Sequence, residues 1–390
     1  MSEQLPGEAP PAEKIRKSTA KRERGNRTGF TTGACSAAAA RAATLGLLRG
    51  EVPASVDCQL PNGQQVSFAV SDGRVAGTGV QRCAHAVIVK DAGDDPDATH
   101  GAHMTADVRL LPGAAGEVRL KGGPGVGTVT MHGLGLEVGG PAINPVPRRN
   151  IGDNVHAVAG ELLEHDGLEV TISVPGGEEM AKKTLNARLG ILDGISILGT
   201  TGIVRPYSTA AFRASVVQAV QVAANQGQTT AVFTTGGRTE KCAMRQYPQL
   251  GEACFVQMGD FVKAAFATAT QHGMQHLILG AMVGKLTKIA QGLSVTHAWR
   301  EEIDRDLLAE AAASVGAPAA LVEEIRAAET ARFAAERLQL LGLSVPFHRT
   351  LAHAALRSLR QRYPGPHRLT VLVIDFEGQP ITTVEEGEDE

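Results

Sequence analysis

The segment Leu185–Ser208 reads L-N-A-R-L-G-I-L-D-G-I-S-I-L-G-T-T-G-I-V-R-P-Y-S, and it is rich in glycine and nearly uncharged. Apolar residues alternate with small ones along it, which predicts a buried segment whose glycines prevent a long regular element. Within it, Gly199-Thr200-Thr201-Gly202 offers backbone N–H groups and two hydroxyls. Such a loop either binds an anionic ligand or forms a tight turn between two core strands, and composition leaves both interpretations open.

The Thr-Thr-Gly tripeptide occurs at two other places in the chain. Thr31-Thr32-Gly33 precedes an Ala-rich segment that predicts a helix from Ala34 to Leu48, and Thr234-Thr235-Gly236 follows an apolar strand. Chance could produce this repetition in a chain with 45 glycines. In all three places, however, hydroxyl residues meet glycine at the end of an element, and we expect at least two of these loops to converge on one site.

The amino-acid composition limits the classes of protein to which the chain can belong. The chain has 390 residues, of which 43% are hydrophobic and 20% charged, and its formal net charge is −3. These values predict a soluble globular protein of two or three domains and argue against a dedicated nucleic-acid or membrane binder. No apolar run is long enough to predict a membrane span. The five cysteines form no CxxC pair, which favours reduced thiols in the cytoplasm over a zinc or disulfide framework.

The distribution of helices and strands predicts two domains. Residues 1–26 are polar and lack the apolar core of a signal peptide, so we expect a disordered tail. Residues 27–200 predict an α+β domain with the Ala-rich helix and a β-meander. Residues 201–378 alternate strands with helices, which is typical of an α/β domain with a small, mainly parallel, Rossmann-like sheet. Residues 379–390 are read as an acidic, solvated tail.

Ligands of open parallel sheets bind at the carboxyl ends of the strands. Asp260 lies 24 positions after Gly236, close to the spacing of about 20 residues at which an acidic residue binds ribose hydroxyls. This pattern predicts a nucleoside cofactor, and spacing alone does not choose between S-adenosylmethionine and NAD, although the missing G-x-G-x-x-G fingerprint disfavours NAD. Lys285 either contacts an anionic group or faces solvent. The predicted cofactor-binding residues are Thr234, Thr235, Gly236, Gly237, Asp260, Gly280 and Gly284.

Basic and acidic motifs of the first half supply candidates for substrate binding and catalysis. Three prolines between residues 141 and 150 predict an extended strap that presents Arg148 and Arg149 to carboxylates, although solvated surface arginines would look the same. Lys182 and Lys183 precede the opening segment. The acidic loop at residues 91–97 either supplies a general base or is a solvated turn, and its spacing does not match a calcium loop. The candidate bases are Asp91, Asp94 and Asp95.

Five motifs in a fixed order resemble the CbiD family, the cobalt-precorrin-5B C(1)-methyltransferases. They are G-F-T-T-G-A-C-S-A-A from Gly29, K-D-A-G-D-D-P-D from Lys90, G-P-A-I-N-P-V-P-R from Gly140, A-K-K-T-L-N from Ala181 and G-I-S-I-L-G-T-T-G-I-V from Gly194. The resemblance implies a cytoplasmic enzyme of oxygen-independent cobalamin biosynthesis. Such an enzyme moves a methyl group from S-adenosyl-L-methionine to carbon 1 of the ring, giving cobalt-precorrin-6A.

The resemblance also implies a flat tetrapyrrole substrate fringed with acetate and propionate groups, whose cobalt arrives inside it, and we predict no metal site of the protein itself. A homo-oligomer and transient contacts with other enzymes of the pathway remain open. Two other functions also remain open: a nicotinamide-dependent tetrapyrrole reductase and a non-catalytic corrinoid-binding protein. The predicted substrate-binding residues are Thr31, Thr32, Gly33, Asn144, Arg148, Arg149, Lys182, Lys183, Thr200, Thr201 and Gly202.

The second half departs from the family pattern at the predicted cofactor edge. Ala281 stands where the family usually has His, and the preceding loop carries Arg238 and Glu240. The segment Met258–Phe261 replaces a Ser-Asn-Phe segment. Whether these departures alter the use of the cofactor is a question for the geometry of that edge.

Overall fold

The first half of the chain is built on a five-stranded sheet and two long helices. The computed structural model describes residues 25–297 and 302–388, so all of the predicted N-terminal tail except Gly25 and Asn26 lies outside the described residues. The elements of the first half are β1 Gly29–Phe30, α1 Thr32–Arg49, β2 Ser55–Gln59, β3 Gln65–Ala69, β4 Asp72–Ala76, β5 Cys83–Val89, β6 His103–Leu111, β7 Val118–Gly122, β8 Gly125–Val126, β9 Thr128–Val129, α2 Pro145–Leu163, β10 Gly167–Ser173, α3 Gly177–Ala181, β11 Ile191–Leu192, β12 Gly194–Ile195 and β13 Ile203–Val204.

The first sheet has the strand order β4-β5-β6-β10-β7 and is antiparallel except for the pair β10–β7. Helix α1 packs on β5 and β6 and against α2. Thr31 caps α1, since its Oγ1 accepts a hydrogen bond from Ala34 N at 3.2 Å. The alanines of α1 are buried because their small side chains let the helix approach the sheet closely. The predicted helix is therefore confirmed. Of the predicted meander, only β2 and β3 form a separate hairpin, and β4 joins the larger sheet.

The segment Ile191–Val204, named here the central segment, pairs with strands from the middle and from the start of the first half. In chain order, β11 pairs with β9, β12 with β8, and β13 with β1. Between them, Ile197 forms a bridge to Ile143. Each pairing is two residues long, because glycines separate the strands. The prediction of a buried segment without long regular elements is confirmed in its interior, where Ile195 and Ile197 are fully buried.

The second half carries a second five-stranded sheet between helices. The elements are α4 Thr209–Asn225, β14 Thr230–Thr234, α5 Gly237–Gln246, β15 Phe255–Gln257, α6 Val262–Gln271, β16 His276–Ala281, α7 Val283–Ala290, α8 Arg305–Ser314, α9 Ala319–Ala327, α10 Ala331–Leu340, α11 Ser344–Arg362, β17 Arg368–Ile374 and β18 Pro380–Glu385. The strands lie in the order β15-β14-β16-β17-β18, in which the first four are parallel and β18 is antiparallel. Helix α5 covers one face of the sheet, and α4, α6, α7 and α11 pack on the other.

The protein is thus a mixed α/β structure with two sheets of five strands, both partly parallel. Two local predictions were wrong. Residues 380–385 form an edge strand and not a solvated tail. The predicted strap is the start of α2, because a proline at the first helical position loses no hydrogen bond and has a helical φ already.

Candidate functional site

Two Thr-Thr-Gly loops lie against each other, as predicted. Thr32 Oγ1 donates to the carbonyl of Ser196 at 3.1 Å and accepts from Leu198 N at 2.9 Å. Thr31 N donates to the carbonyl of Gly202, and Gly33 N to that of Leu198, both at 3.0 Å. The hydroxyl of Thr32 is therefore used in holding the loops together.

The predicted proline-rich motif meets the same loops, and we name the whole contact region, Thr31–Gly33 with Asn144, Pro147 and Ser196–Gly202, the threonine junction. Asn144 N donates to the carbonyl of Ile197 at 3.0 Å. A Cβ on Gly33 would lie 2.8 Å from Pro147 Cγ, so only glycine allows this approach. Within the described part of the chain, the side chains of Asn144 and Thr200 form no hydrogen bond, which leaves their polar groups available to a ligand.

Three of the four predicted substrate-binding cations lack a partner among the described residues. Arg148 and Arg149 are exposed near the start of α2, and Lys183 is exposed after α3. Lys182 instead forms an ion pair with Glu179 at 2.5 Å. The side chains of Arg148, Arg149 and Lys183 can therefore bind carboxylates without first breaking an ion pair within residues 25–297 and 302–388.

The third Thr-Thr-Gly loop lies in the other sheet, at the carboxyl end of β14. Thr239 Oγ1 accepts from the N–H groups of Thr235 and Gly236, both at 3.1 Å, and so fixes the loop at the start of α5. A Cβ on Gly236 or Gly284 would meet no atom within 4 Å, so both backbones face open space. The hydroxyl of Thr234 is buried and lacks a hydrogen-bond partner among the described residues.

Asp260 and Lys285 join the ends of three strands across this edge. Lys285 Nζ lies 3.0 Å from the carbonyl oxygen of Thr235 and 3.1 Å from Asp260 Oδ1. Thr296 Oγ1 donates to the same Oδ1 at 3.1 Å. No described residue donates to the second carboxylate oxygen, Oδ2, so the protein fixes one oxygen of Asp260 and leaves the other for a ligand. Of the two interpretations of Lys285, the solvent-facing one is wrong.

The departures from the family pattern have ordinary structural roles. Ala281 is buried in the last position of β16. Arg238 Nη1 donates to the carbonyl of Phe376 at 2.5 Å. Glu240 is nearly inaccessible and accepts from Arg188 Nη1 and from Gln257 Nε2, both at 2.6 Å. Arg188 belongs to the first half of the chain, so this ion pair ties α5, which follows the cofactor loop, to the segment next to the threonine junction.

The acidic loop connects other segments of the chain. The Arg27 guanidinium binds both oxygens of Asp91, and this hydrogen bonding, together with the Gly93 N–H, lowers the pKa of Asp91 to about 2. Arg27 N donates to Asp94 Oδ2 at 2.7 Å. Tyr207 N donates to Asp95 Oδ1 at 2.9 Å. All three candidate bases therefore accept hydrogen bonds from outside their own loop, and the lowered pKa makes Asp91 a weak base.

A buried lysine supports the acidic loop from beneath. Lys90 is 1% exposed, and its Nζ lies 2.7 Å from Asp97 Oδ2. Thr99 donates to the other oxygen of Asp97 through both its N–H and its hydroxyl, at 2.7 and 2.6 Å. Burial raises the pKa of Asp97, but the hydrogen bonds from Lys90 and Thr99 outweigh it and lower the pKa overall. The carboxylate therefore stays ionised and neutralises the buried ammonium.

Sequence reasoning missed the contacts that join distant segments. Nothing near Arg27 marked it as the partner of Asp91, which is 64 residues away. Two signals did exist for the pair between Arg188 and Glu240. Arg188 is one of few charges in an otherwise uncharged segment, and Glu240 stands out in a glycine-rich loop.

Two kinds of feature are absent from the described residues. None of the helices in residues 25–297 and 302–388 has both the length and the apolar character that crossing a membrane requires. Within the same residues, no three His, Cys, Asp or Glu side chains are grouped so that they could hold a metal ion.

Comparisons with known proteins give the family. A family model described as CbiD matches residues 19–206, and one described as the CbiD C-terminal domain matches residues 295–385. Residues 207–294, which include most of the predicted cofactor edge, lie between the two models.

Curated relatives span this gap. A protein of Dechloromonas aromatica named cobalt-precorrin-5B C(1)-methyltransferase is 76% identical over 96% of this chain and 95% of its own length. Proteins of the same name from Methylococcus capsulatus and Salinispora arenicola are 63% and 51% identical, over 94% and 91% of this chain and 95% and 91% of their own lengths. A crystal structure titled cobalamin biosynthesis protein (cbiD) from Archaeoglobus fulgidus is 27% identical, with a TM-score of 0.36 over 68% of this chain and 80% of that one. The chain therefore belongs to the CbiD family.

Proposed function

We propose that the chain is a cytoplasmic enzyme that methylates carbon 1 of cobalt-precorrin-5B with S-adenosylmethionine and releases cobalt-precorrin-6A. The names of its close relatives support the reaction. The observation that carries the proposal in this chain is the arrangement at the carboxyl edge of the second sheet. There, the carboxylate of Asp260 paired with Lys285, the open backbones of Gly236 and Gly284, and the buried hydroxyl of Thr234, unpartnered among the described residues, lie at the ends of neighbouring strands, where open parallel sheets form a ligand-binding crevice.

The topology of the second sheet supports the location of the cofactor. Numbered by chain order within the sheet, its strands lie in the order 2-1-3-4-5, a doubly wound, Rossmann-like order. In such sheets the ligand binds where the strand order reverses, which here is between β14 and β16. The residues of that crevice fit a nucleoside. Asp260 Oδ2 would accept hydrogen bonds from ribose hydroxyls, and Gly236 and Gly284 would let the ligand approach the backbone.

Lys285 has a positioning role in this proposal. Its ammonium holds Asp260 Oδ1 and the carbonyl of Thr235 at one point, so that the crevice keeps its shape without a ligand. Thr239 takes up the N–H groups of Thr235 and Gly236, which leaves the Gly237 N–H at the start of α5 for an acceptor on the ligand.

The threonine junction and its neighbouring cations are proposed to hold the macrocycle. Arg148, Arg149 and Lys183 would bind acetate and propionate groups, while Asn144 and Thr200 donate to further carboxylate oxygens. S-adenosylmethionine supplies an electrophilic methyl group, and the electron-rich ring carbon needs no activated protein side chain. The protein acts by alignment, which is worth about 7–11 kcal/mol in well-oriented reactions.

A general base from the acidic loop remains part of the proposal. A proton must leave the ring system. Asp91, whose pKa is about 2, would accept it poorly, so Asp94 and Asp95 are the remaining candidates. Asn substitutions at the three positions test this role. The variant that replaces the true base should lose most of its turnover. Unchanged turnover in all three variants would show that the acidic loop takes no part in the reaction.

The cofactor site is tested by calorimetric titration with S-adenosylhomocysteine. We expect Asp260→Ala to weaken binding on the order of tenfold, because hydrogen bonds to the ribose are lost. Glu310→Ala, which removes an exposed acid from α8, is the matched control and should bind as the unaltered protein does. Equal affinity in Asp260→Ala would place the nucleoside elsewhere. Binding of NADPH but of neither S-adenosyl compound would favour the reductase instead.

A further inference from the structure

Two exposed aromatic side chains stand where the first half of the chain leads into the second. Among the described residues, Tyr207 and Phe212 are the only aromatic members of the exposed large hydrophobic side chains, at 49% and 44% exposure. They flank the first turn of α4, which begins at Thr209. Large aromatic rings are normally placed in a core or an interface, so two exposed rings close together in sequence indicate a binding surface.

The backbone at Tyr207 is held in a strained conformation. Its φ of 54° lies in the left-handed region, which among the described non-glycine residues only Asp193 shares. The hydrogen bond from Tyr207 N to Asp95 Oδ1, at 2.9 Å, helps to hold it there. A bulky residue adopts this conformation only where its surroundings impose it, and such positions cluster at functional sites.

Phe212 connects these rings to the proposed cofactor edge. Its ring lies 5.6 Å from that of Phe261, centroid to centroid, at an interplanar angle of 32°. A Cβ on Gly259 would lie 3.1 Å from Phe212 Cε1. Gly259 and Phe261 are the two neighbours of Asp260, so the Phe212 ring lies directly beside the residue proposed to bind the ribose.

Three exposed cations are neighbours of the rings in the sequence. Arg205, Arg213 and Lys263 each lie within two residues of Tyr207, Phe212 or Phe261, and none forms an ion pair or side-chain hydrogen bond within the described residues. An apolar surface edged by unpaired cations is complementary to a flat apolar ring edged by carboxylates. It is a poorer match for a nucleic acid, given the net charge of −3.

We propose that Tyr207 and Phe212 form an aromatic platform against which one face of the tetrapyrrole lies, with Arg205, Arg213 and Lys263 binding its carboxylates. This inference rests on the proposed function, which supplies the macrocycle. The platform brings the ring to the edge that holds the methyl donor, and it gives Asp95 a positioning role through the backbone of Tyr207.

The test is a titration of the full-length protein and of its variants Tyr207→Ala and Phe212→Ala with cobalt-precorrin-5B. Binding is monitored through the visible absorption spectrum of the corrinoid. Loss of one stacked ring should weaken macrocycle binding on the order of tenfold. Binding of S-adenosylhomocysteine should stay unchanged in Tyr207→Ala, and its measurement in Phe212→Ala shows whether the packing of Phe212 on Phe261 also supports the cofactor edge. Tyr207→Phe keeps the ring and should bind as the unaltered protein does. Leu340→Ala, which removes a side chain 80% exposed on α10, controls for loss of surface apolar area.

The outcomes separate the platform from the proposed function. If the unaltered protein binds the macrocycle and both alanine variants bind it within twofold of the same affinity, the platform is refuted and the methyltransferase is not. If the unaltered protein binds no macrocycle, both are refuted. Weaker binding in Tyr207→Phe as well as in Tyr207→Ala would also refute stacking, because only the hydroxyl differs between Tyr and Phe.

Discussion

Substitution of Arg188 by Met tests whether the two halves of the chain are fixed to each other beside the cofactor loop. Glu240 has a side chain only 5% exposed, and Arg188 supplies the charge that compensates it, with a side chain 25% exposed. In Arg188→Met, the carboxylate keeps only the amide of Gln257, at 2.6 Å. A buried charge left with a neutral donor is poorly stabilised.

The magnitude follows from the burial of the pair. Removing one partner of a fully buried ion pair costs about 3–5 kcal/mol. Because Arg188 is a quarter exposed and Gln257 remains, we expect the free energy of unfolding to fall by about 2 kcal/mol. For a chain of 390 residues this corresponds to a fall of about 2–3 °C in the thermal midpoint.

The double variant Arg188→Met/Glu240→Gln is the matched control. A neutral amide at position 240 needs no counter-charge, so the double variant should be more stable than Arg188→Met by about 1 kcal/mol or more. Urea unfolding monitored by circular dichroism measures the free energies, and thermal unfolding measures the midpoint. A free energy for Arg188→Met within about 0.5 kcal/mol of the unaltered protein, or a double variant less stable than the single one, would refute the buried tether.

Two further predictions concern titratable groups of the first half. The pKa of Asp91 in the folded protein, about 2, lies below its ordinary value of 3.8, so its ion pair with Arg27 stabilises the fold above about pH 4 and loses this effect as the pH falls through 2. The difference in thermal midpoint between the unaltered protein and Arg27→Met should therefore be constant from pH 7 to about 5 and vanish near pH 2. A difference that persists near pH 2 would contradict the pairing of Arg27 with Asp91. In alkylation of the folded protein by iodoacetamide at about pH 8, mass spectrometry should find only Cys83 modified, because the other thiols are buried and burial raises the pKa of two of them, Cys35 and Cys58, to about 12. Modification of Cys35 at the rate of Cys83 would contradict the packing of α1.

The parts of the fold that local sequence patterns determine were predictable. The strands and helices of the second sheet follow from hydrophobic periodicity, and their alternation indicates parallel pairing, as the structure has it. The helix α1 follows from its Ala-rich sequence and Thr cap. The start of α2 was missed because proline is compatible both with extended chain and with the first turn of a helix. The edge strand β18 was missed because acidic residues at its end resemble a solvated tail.

The candidate site was likewise predictable only where local sequence patterns determine it. Asp260 and the glycine loops could be predicted because the end of a parallel strand is recognisable in the sequence. Their arrangement around Lys285 depends on the strand order, which no local pattern determines. The pairing of Arg188 with Glu240 depends on how two separate sheets meet, over a separation of 52 residues. The strain at Tyr207 depends on a carboxylate 112 residues away. Contacts of this kind become visible only in the folded chain.

The central claim is methyl transfer, and one measurement tests it most directly. The purified protein is incubated with cobalt-precorrin-5B and S-adenosylmethionine, and the corrinoid is analysed by mass spectrometry. We predict the gain of one methyl group, with formation of an equal amount of S-adenosylhomocysteine. A corrinoid of unchanged mass, bound tightly by the protein, would contradict the claim and identify a binding protein.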